Sequence, residues 1–324
     1  MGDIPESSAF HAFPRMSEPW AYLNGEFLPV SRAVITVTDL GFMQGVTAAE
    51  QLRTFNGKLF RLDKHLDRMA RSLEIIGVDP GLSRDGFTRI AEELVARNFP
   101  AFPPGGDLGL SMFVTPGAYA TFANSGFLQR TGPTIGMHSY ALPFHLWASK
   151  YETGESLVVT PVLQVPPSSI PAELKCRSRM HYYLADQAAR KIEPGARALM
   201  VDEQGFATES STANLLVYWK AEGLVSPPRE KILPGVTVAA IEELAGKLGI
   251  PFSYRSLSVD EVAQADEALL CSTSPCIWAV TRLNGQAVGS GRPGEVVASL
   301  QRAWSEMVGF DIIDQAQRLA SESA

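Results

Sequence analysis

Alternation of apolar and polar positions begins at Trp20, where AYLNGEFL sets Asn24-Gly25 between two short alternating runs, and QLRTFNGKLF repeats the arrangement around Asn56-Gly57. An Asn-Gly pair supplies the positive φ angles of a tight hairpin turn, so both segments predict antiparallel strand pairs. The period then changes. Leu62, Leu66, Met69, Leu73 and Ile76 recur at steps of four and three, which lays one apolar stripe along a helix that stops at Gly77. Phe87, Ile90, Leu94 and Val95 predict a second helix, and LGLSMFVT and TIGMHSYAL two more strands on either side of the small, polar stretch 123–133. Residues 20–145 thus read as a small N-terminal α+β domain. The preceding 1–19 is acidic and proline-bearing, lacks the apolar core of a signal peptide, and reads as a loose leader.

Beyond 155 the apolar runs lengthen. SLVVTPVLQV reads as a buried strand, and ARALMVD and NLLVYW as two more flanking a turn at Glu203-Gln204-Gly205. Helical periodicity covers 182–191, 236–248 and 295–307, the last two opening just after Pro-Gly pairs, and Ser258 with Glu261 has capping-box spacing before a short helix. Residues 156–310 read as a larger second domain of mixed α/β character. A linker at 146–155 joins the two, and 311–324 reads as a tail of surface helix or frayed chain.

With 324 residues, 45% of them hydrophobic and 19% charged, the chain has material for two globular cores. No apolar run approaches the roughly 20 residues of a membrane-spanning helix. Lys+Arg of 28 against Asp+Glu of 35 gives a net charge of -7, which argues against a nucleic-acid groove. Cys176, Cys271 and Cys276 have no metal-ligand spacing and their odd number argues against a disulfide framework, so a reducing, cytoplasmic setting is expected. GxSxG, Walker and HExxH motifs are absent and the five histidines are dispersed, which leaves neither a serine hydrolase nor a metal site.

Other residues offer chemistry. Lys175 stands in IPAELKCRSRMHYYLAD between a proline-rich loop and an aromatic helix start; a lysine there is ordinarily a surface residue, so its company decides. FATESSTANLLVY sets Glu209 at a strand end beside small hydroxyl residues, also the place of an ordinary edge carboxylate. ILPGVT puts Gly235, Val236 and Thr237 at a helix N-terminus, whose free N–H groups attract anions at any helix start. CSTSP adds the hydroxyls of Thr273 and Ser274, and Arg61 follows the second hairpin as a cation able to grip a phosphate with two parallel bonds. In combination these residues supply an amine for an aldehyde, a carboxylate for a pyridinium nitrogen, and an arginine with a helix N-terminus for a phosphate. Those are the needs of pyridoxal 5'-phosphate.

The sequence resembles the class IV (fold-type IV) aminotransferases, the group that holds branched-chain and D-amino-acid aminotransferases and aminodeoxychorismate lyases. YLNGEFLP, GVTAAEQLRTF, LFRLDKHLDRM, the lysine segment, ATESSTANLL, ILPGVT and LLCSTSP occur in the order of that family, and the similarity runs from about Tyr22 to Phe310. The resemblance implies a small N-terminal α+β domain, a larger C-terminal domain with a pseudo-barrel, a cofactor between them and a homodimer that completes the pocket. It makes Lys175 the covalent anchor and proton shuttle, Glu209 the pyridinium partner, and Arg61, Val236, Thr237 and Thr273 the phosphate site. The implied activity moves an amino group between an amino acid or amine and a 2-oxo acid.

Departures from the family bear on substrate. Gln44 and Ala49 stand where branched-chain enzymes carry an aromatic pair, and Thr115-Pro116-Gly117 replaces a turn that bears an arginine in D-amino-acid enzymes and lyases. Arg177 and Arg179 become candidates for the substrate carboxylate, with solvent or Asp186 as their alternative partners. Ser274 joins the substrate candidates, Cys176 reads as packing, Tyr182 and Tyr183 are candidates to position the cofactor ring or substrate with one of them expected in the core, and His138 and Tyr140 share a strand face that can reach the cleft, although His138 reads first as a structural histidine. Two other functions use the same residues: a lyase that eliminates pyruvate from aminodeoxychorismate, and a carrier that binds pyridoxal phosphate without turnover.

Overall fold

The computed structural model describes residues 18–102, 104–119, 121 and 132–322. The expected leader up to residue 17 and most of the 123–133 stretch lie outside the described residues.

Two sheets organise the chain. The first is antiparallel, with strands in the order Glu26–Pro29, Trp20–Leu23, Thr134–Ala141, Leu108–Thr115, Ala48–Phe55 and Lys58–Leu59. Both Asn-Gly hairpins form within it, Asn24 at φ 54° and Asn56 at φ 51°. The helices Leu62–Ile76 and Arg84–Asn98 cover one face, where Leu66, Met69 and Leu73 pack with Leu52, Leu110 and Met137. Each side chain so withdrawn from water contributes about 1.5–3 kcal/mol. The other face carries Ala49, Gln51, Ser111 and His138.

Six strands of the second, ten-stranded sheet close into a ring: Ala213–Trp219, Glu267–Ser272, Cys276–Leu283, Glu155–Val159, Arg197–Val201 and Phe206–Ser210. The last pairs back on the first through Glu209↔Asn214 and Ser210↔Ala213. Leu215 and Val217 join one cluster with Leu157, Leu199 and Leu270, whereas Leu216 between them packs with Ile241, Leu244, Leu300 and Trp304 of the outer helices Val236–Lys247 and Glu295–Val308. Burial on both faces explains the long apolar runs. Before the short helix Val259–Ala263 the capping box forms, with Ser258 Oγ accepting from the Glu261 N–H at 3.2 Å and the Ser258 N–H donating to Glu261 Oε2 at 2.9 Å.

Two connecting segments are more ordered than their sequences predict. The 146–155 stretch contains the helix Ala148–Thr153, anchored by the buried Tyr151 hydroxyl donating to the Pro275 carbonyl at 2.8 Å, and Glu155 already opens a ring strand. The 311–324 tail is a docked helix, Ile312–Glu322, that buries Ile312, Ala316 and Leu319. Its Gln315 accepts from Arg53 Nη2 at 2.8 Å and donates to Asp107 Oδ2 at 2.9 Å. Three apolar positions cannot hold an isolated helix; the partners that do are remote in sequence. Deleting 312–324 should therefore lower stability by at least about 3 kcal/mol, seen as an earlier urea midpoint, and an unmoved midpoint would show the docking to be dispensable.

Candidate active site

A cavity of about 290 Å³ lies where the first sheet, the ring and the lysine loop meet. The loop is stitched to the first sheet and to the helix Leu62–Ile76: the Ala49 N–H donates to the Lys175 carbonyl at 2.9 Å, the Lys175 N–H donates to Ser72 Oγ of that helix at 3.2 Å, and Cys176 bridges Ala48. Lys175 Nζ has no hydrogen-bond partner among the described residues. Burial, together with the charges of Arg68, Arg179 and Arg177 and against the pull of Glu50, brings its pKa down to about 8.

Glu209 enters from the strand pair that closes the ring. It accepts from the Tyr182 hydroxyl at 2.5 Å, Asn214 Nδ2 at 3.0 Å, the Leu233 N–H at 3.2 Å and Gln164 Nε2 at 3.3 Å. Burial pushes its pKa up, and the bonds from Tyr182 and Leu233 and the charges of Arg179 and Lys175 oppose that rise. Val236 and Thr237 open their helix on the same cavity, after Gly235, which makes no side-chain cap. A Cβ at Gly235 would collide with Asn214 Oδ1, so glycine lets the helix start approach the Glu209 strand pair closely. Thr273 and Ser274 line the cavity, and the Ser274 carbonyl accepts from Arg53 Nη1 at 2.7 Å.

The arginine expected at the phosphate, Arg61, stands away from the cavity. Arg61 does not line the cavity; it precedes the helix Leu62–Ile76 and spends its guanidinium on Glu243, at 2.7 and 2.6 Å. Seven residues on, about 10 Å along the axis, Arg68 does line it. Its Nε and Nη2 donate to the two Glu50 oxygens at 2.7 and 2.8 Å, and its Nη1 to the Pro234 carbonyl at 2.8 Å, beside the helix N-terminus. His65 Nδ1 lies 2.7 Å from Glu50 as well. Although burial opposes it, Arg68 and His65 hold the Glu50 carboxyl at about 2, so it is ionised. Sequence reasoning misses Arg68, Glu50 and His65 as a site. Their signal is His65, Arg68 and Ser72 repeating at three and four beside the apolar stripe, a polar row where the helix is buried.

The substrate candidates divide. Ala49, Arg177, Arg179 and Ser274 line the cavity. Gln44 does not: it is exposed at the end of the short helix Leu40–Met43. Thr115 lines a second cavity, of about 710 Å³, and its hydroxyl donates to Asp39 at 3.0 Å. That cavity also takes in His138, and Gln51, Tyr140 and Arg177 line both. Asp186 accepts from the Ala198 N–H at 3.0 Å and holds neither arginine. Tyr183 is exposed, while Tyr182 is the buried partner of Glu209.

A fold of this kind that brings an unpaired amine, a buried carboxylate and an open helix N-terminus into one cavity has the layout of an enzyme active site. The profile of the family described as amino-transferase class IV matches residues 47–283, and the chain belongs to that family. It is an aminotransferase, of a class that works through pyridoxal phosphate. It is similar to the D-alanine aminotransferase of Bacillus licheniformis, 26% identical over 280 residues that span 86% of this chain and 94% of the relative. Among solved structures, the Escherichia coli branched-chain amino acid aminotransferase superposes with a TM-score of 0.80 at 22% identity, over 91% of this chain and 95% of that one. The branched-chain aminotransferase of the thermophilic archaeon Thermoproteus uzoniensis, solved with norvaline, gives 0.78 at 23%, over 90% of this chain and 95% of that one. The fold is that of the fold-type IV enzymes. No helix among the described residues is long and apolar enough to cross a membrane.

Proposed function

We propose that this aminotransferase binds pyridoxal phosphate in the 290 Å³ cavity and exchanges an amino group between an amino acid or amine and a 2-oxo acid, with Lys175 as covalent anchor. The observation that carries the assignment is Lys175 itself, an amine without a hydrogen-bond partner whose pKa is brought down to about 8, in one cavity with Glu209 and the start of the helix Val236–Lys247. The donor set fits the cofactor. The N–H groups of Val236 and Thr237, with Thr273 and Arg68, would hold the phosphate, and Glu209 would face the ring nitrogen.

When bound, pyridoxal phosphate supplies an electron sink for the substrate carbon that gives up its proton. Lys175 Nζ, with a pKa near ambient pH, takes that proton and returns it on the other side of the exchange. Glu209 keeps the ring nitrogen protonated, and Tyr182, Asn214 and Leu233 keep Glu209 in place. The exposed Val37 and Phe42 on the N-terminal part, with Met180, Tyr183 and Leu184 on the helix after the lysine, offer apolar surface to a second copy, and we take the active form to be a homodimer.

A screen of D-alanine, L-branched-chain amino acids and simple amines tests the function: conversion of bound cofactor to its amine form, reversed by a 2-oxo acid, is expected. Pyruvate release from aminodeoxychorismate with no acceptor present would overturn the assignment in favour of a lyase, and binding without either reaction would leave a carrier. For the phosphate, Arg68→Lys keeps a charge beside Glu50 but loses the planar fork, and should weaken pyridoxal phosphate about tenfold or more in a titration of the cofactor-free protein. Arg61→Ala should leave that affinity unchanged, and the opposite outcome would return the role to Arg61.

A further inference from the structure

Arg177 is a cation on the wall of the cavity, exposed to it, and its hydrogen-bond partner is neutral. Its Nη2 donates to Ser111 Oγ at 2.8 Å, and no carboxylate lies within ion-pair distance among the described residues. Nearby arginines are engaged otherwise. Arg68 holds Glu50, Arg197 lies 3.5 Å from Glu155, Arg53 reaches Gln315 at 2.8 Å, and Arg179 stacks on the Tyr182 ring at 4.4 Å. Burial and the charge of Arg179 both press against the Arg177 cation. A guanidinium without a counter-ion on a cavity wall is free to take a carboxylate that arrives there, in two parallel charge-assisted bonds.

Its position gives the anion an identity. Arg177 lines both cavities, at their junction with Gln51 and Tyr140. Gln51, Ser111 and His138 are cross-strand neighbours on one face of the first sheet, and Gln51 Nε2 donates to the Tyr140 hydroxyl at 2.8 Å. Among the described residues the one carboxylate on the larger cavity, Asp39, is occupied by Thr115 at 3.0 Å, Thr134 at 2.7 Å and the Gly41 N–H at 2.7 Å. The lysine loop is bridged to Ala48 at Cys176, and Lys175 and Arg177 on either side of that residue both line the smaller cavity. A small molecule with its amine or carbonyl toward Lys175 has its carboxylate one carbon away, within the same cavity that Arg177 lines.

We infer that Arg177 receives the substrate carboxylate, so that amino acids and 2-oxo acids are the substrates and amines without a carboxylate are excluded. The inference rests on the aminotransferase assignment for its substrates, though the binding of a carboxylate does not. Arg179, the other arginine of the lysine loop, stays with Tyr182.

Pentanoate and pentanamide are matched in size and differ in charge, and each can be titrated against the cofactor-loaded protein through the cofactor's absorbance. The wild type should prefer pentanoate by about ten- to a hundredfold. Arg177→Gln should bring the ratio near one, Arg177→Lys should restore part of it, and Arg179→Gln should leave it high. A ratio that survives Arg177→Gln, that falls with Arg179→Gln instead, or that is absent from the wild type overturns the inference. Should no amino donor convert the wild-type cofactor, the aminotransferase assignment falls by itself, and the pentanoate ratio still decides the role of Arg177.

Discussion

Changing Lys175 to alanine should leave a folded protein that borohydride can no longer label with a pyridoxyl group, and turnover should fall by at least about a thousandfold. The fold survives because the loop is held by its backbone, through Ala49 and Ser72, while the lysine side chain faces the cavity and packs in no core cluster. Peptide mapping of the reduced wild type should find the label on Lys175. Label on Lys231 would overturn the assignment, and the structure argues against that residue because its ammonium already lies 2.5 Å from Asp202 and 3.1 Å from Gln204. The lysine also dictates a pH dependence. With a folded pKa of about 8 against 10.5, the unfolded chain binds more protons between those values. The stability of the cofactor-free wild type, compared with Lys175→Ala, should therefore rise with pH across that window and level off above it. Capture of the aldehyde by the cofactor-free protein should speed up as pH rises through about 8, where the amine sheds its proton. A flat difference in stability between the two proteins would mean that the ammonium is solvated after all.

The same residues show how far a sequence carries such a reading. Local signals transfer well: Asn24-Gly25 and Asn56-Gly57 make their hairpins, and the helix beginning at Val236 starts where the Pro-Gly pair places it. Lys175, Glu209, Val236, Thr237 and Thr273 come together in one cavity, as pyridoxal phosphate requires. What is not legible is depth and long-range register. Arg61 and Arg68 belong to the same motif, one just before the helix Leu62–Ile76 and one within it, and only the docking of the helix Val236–Lys247 decides that its Glu243 meets Arg61 while the residue before its start, Pro234, meets Arg68. The ring depends on Glu155 pairing in parallel with Val280, 125 residues away, which no periodicity reveals. Arg177 is visible in the sequence as a cation, but its lack of a counter-ion follows from where Asp186 and Glu50 find their own partners.

Glu209→Gln tests the other end of the cofactor site. The amide has nearly the shape of the carboxylate and can still accept from the Tyr182 hydroxyl, which lies at 2.5 Å in the wild type, so the closing strand pair of the ring should persist. It cannot, however, balance a positive charge. In a buried setting where burial already pushes the Glu209 pKa up, the cofactor's protonated ring nitrogen is the cation that would make the carboxylate's charge worth keeping. With glutamine there, that nitrogen loses its proton and the ring withdraws electrons poorly from the substrate carbon. Borohydride should still place the label on Lys175, because that bond forms at the opposite side of the ring, while kcat should fall by about two to three orders of magnitude. Tyr182→Phe removes one donor to Glu209 and leaves Asn214 and Leu233 in place, so its loss should be smaller, and the cofactor's absorbance should titrate at a shifted pH in that variant. The separation of attachment from turnover is the decisive feature. A Glu209→Gln protein that keeps the wild-type kcat would reduce Glu209 to a buried carboxylate serving only to tie the closing strands to Asn214, and the ring nitrogen would need another partner.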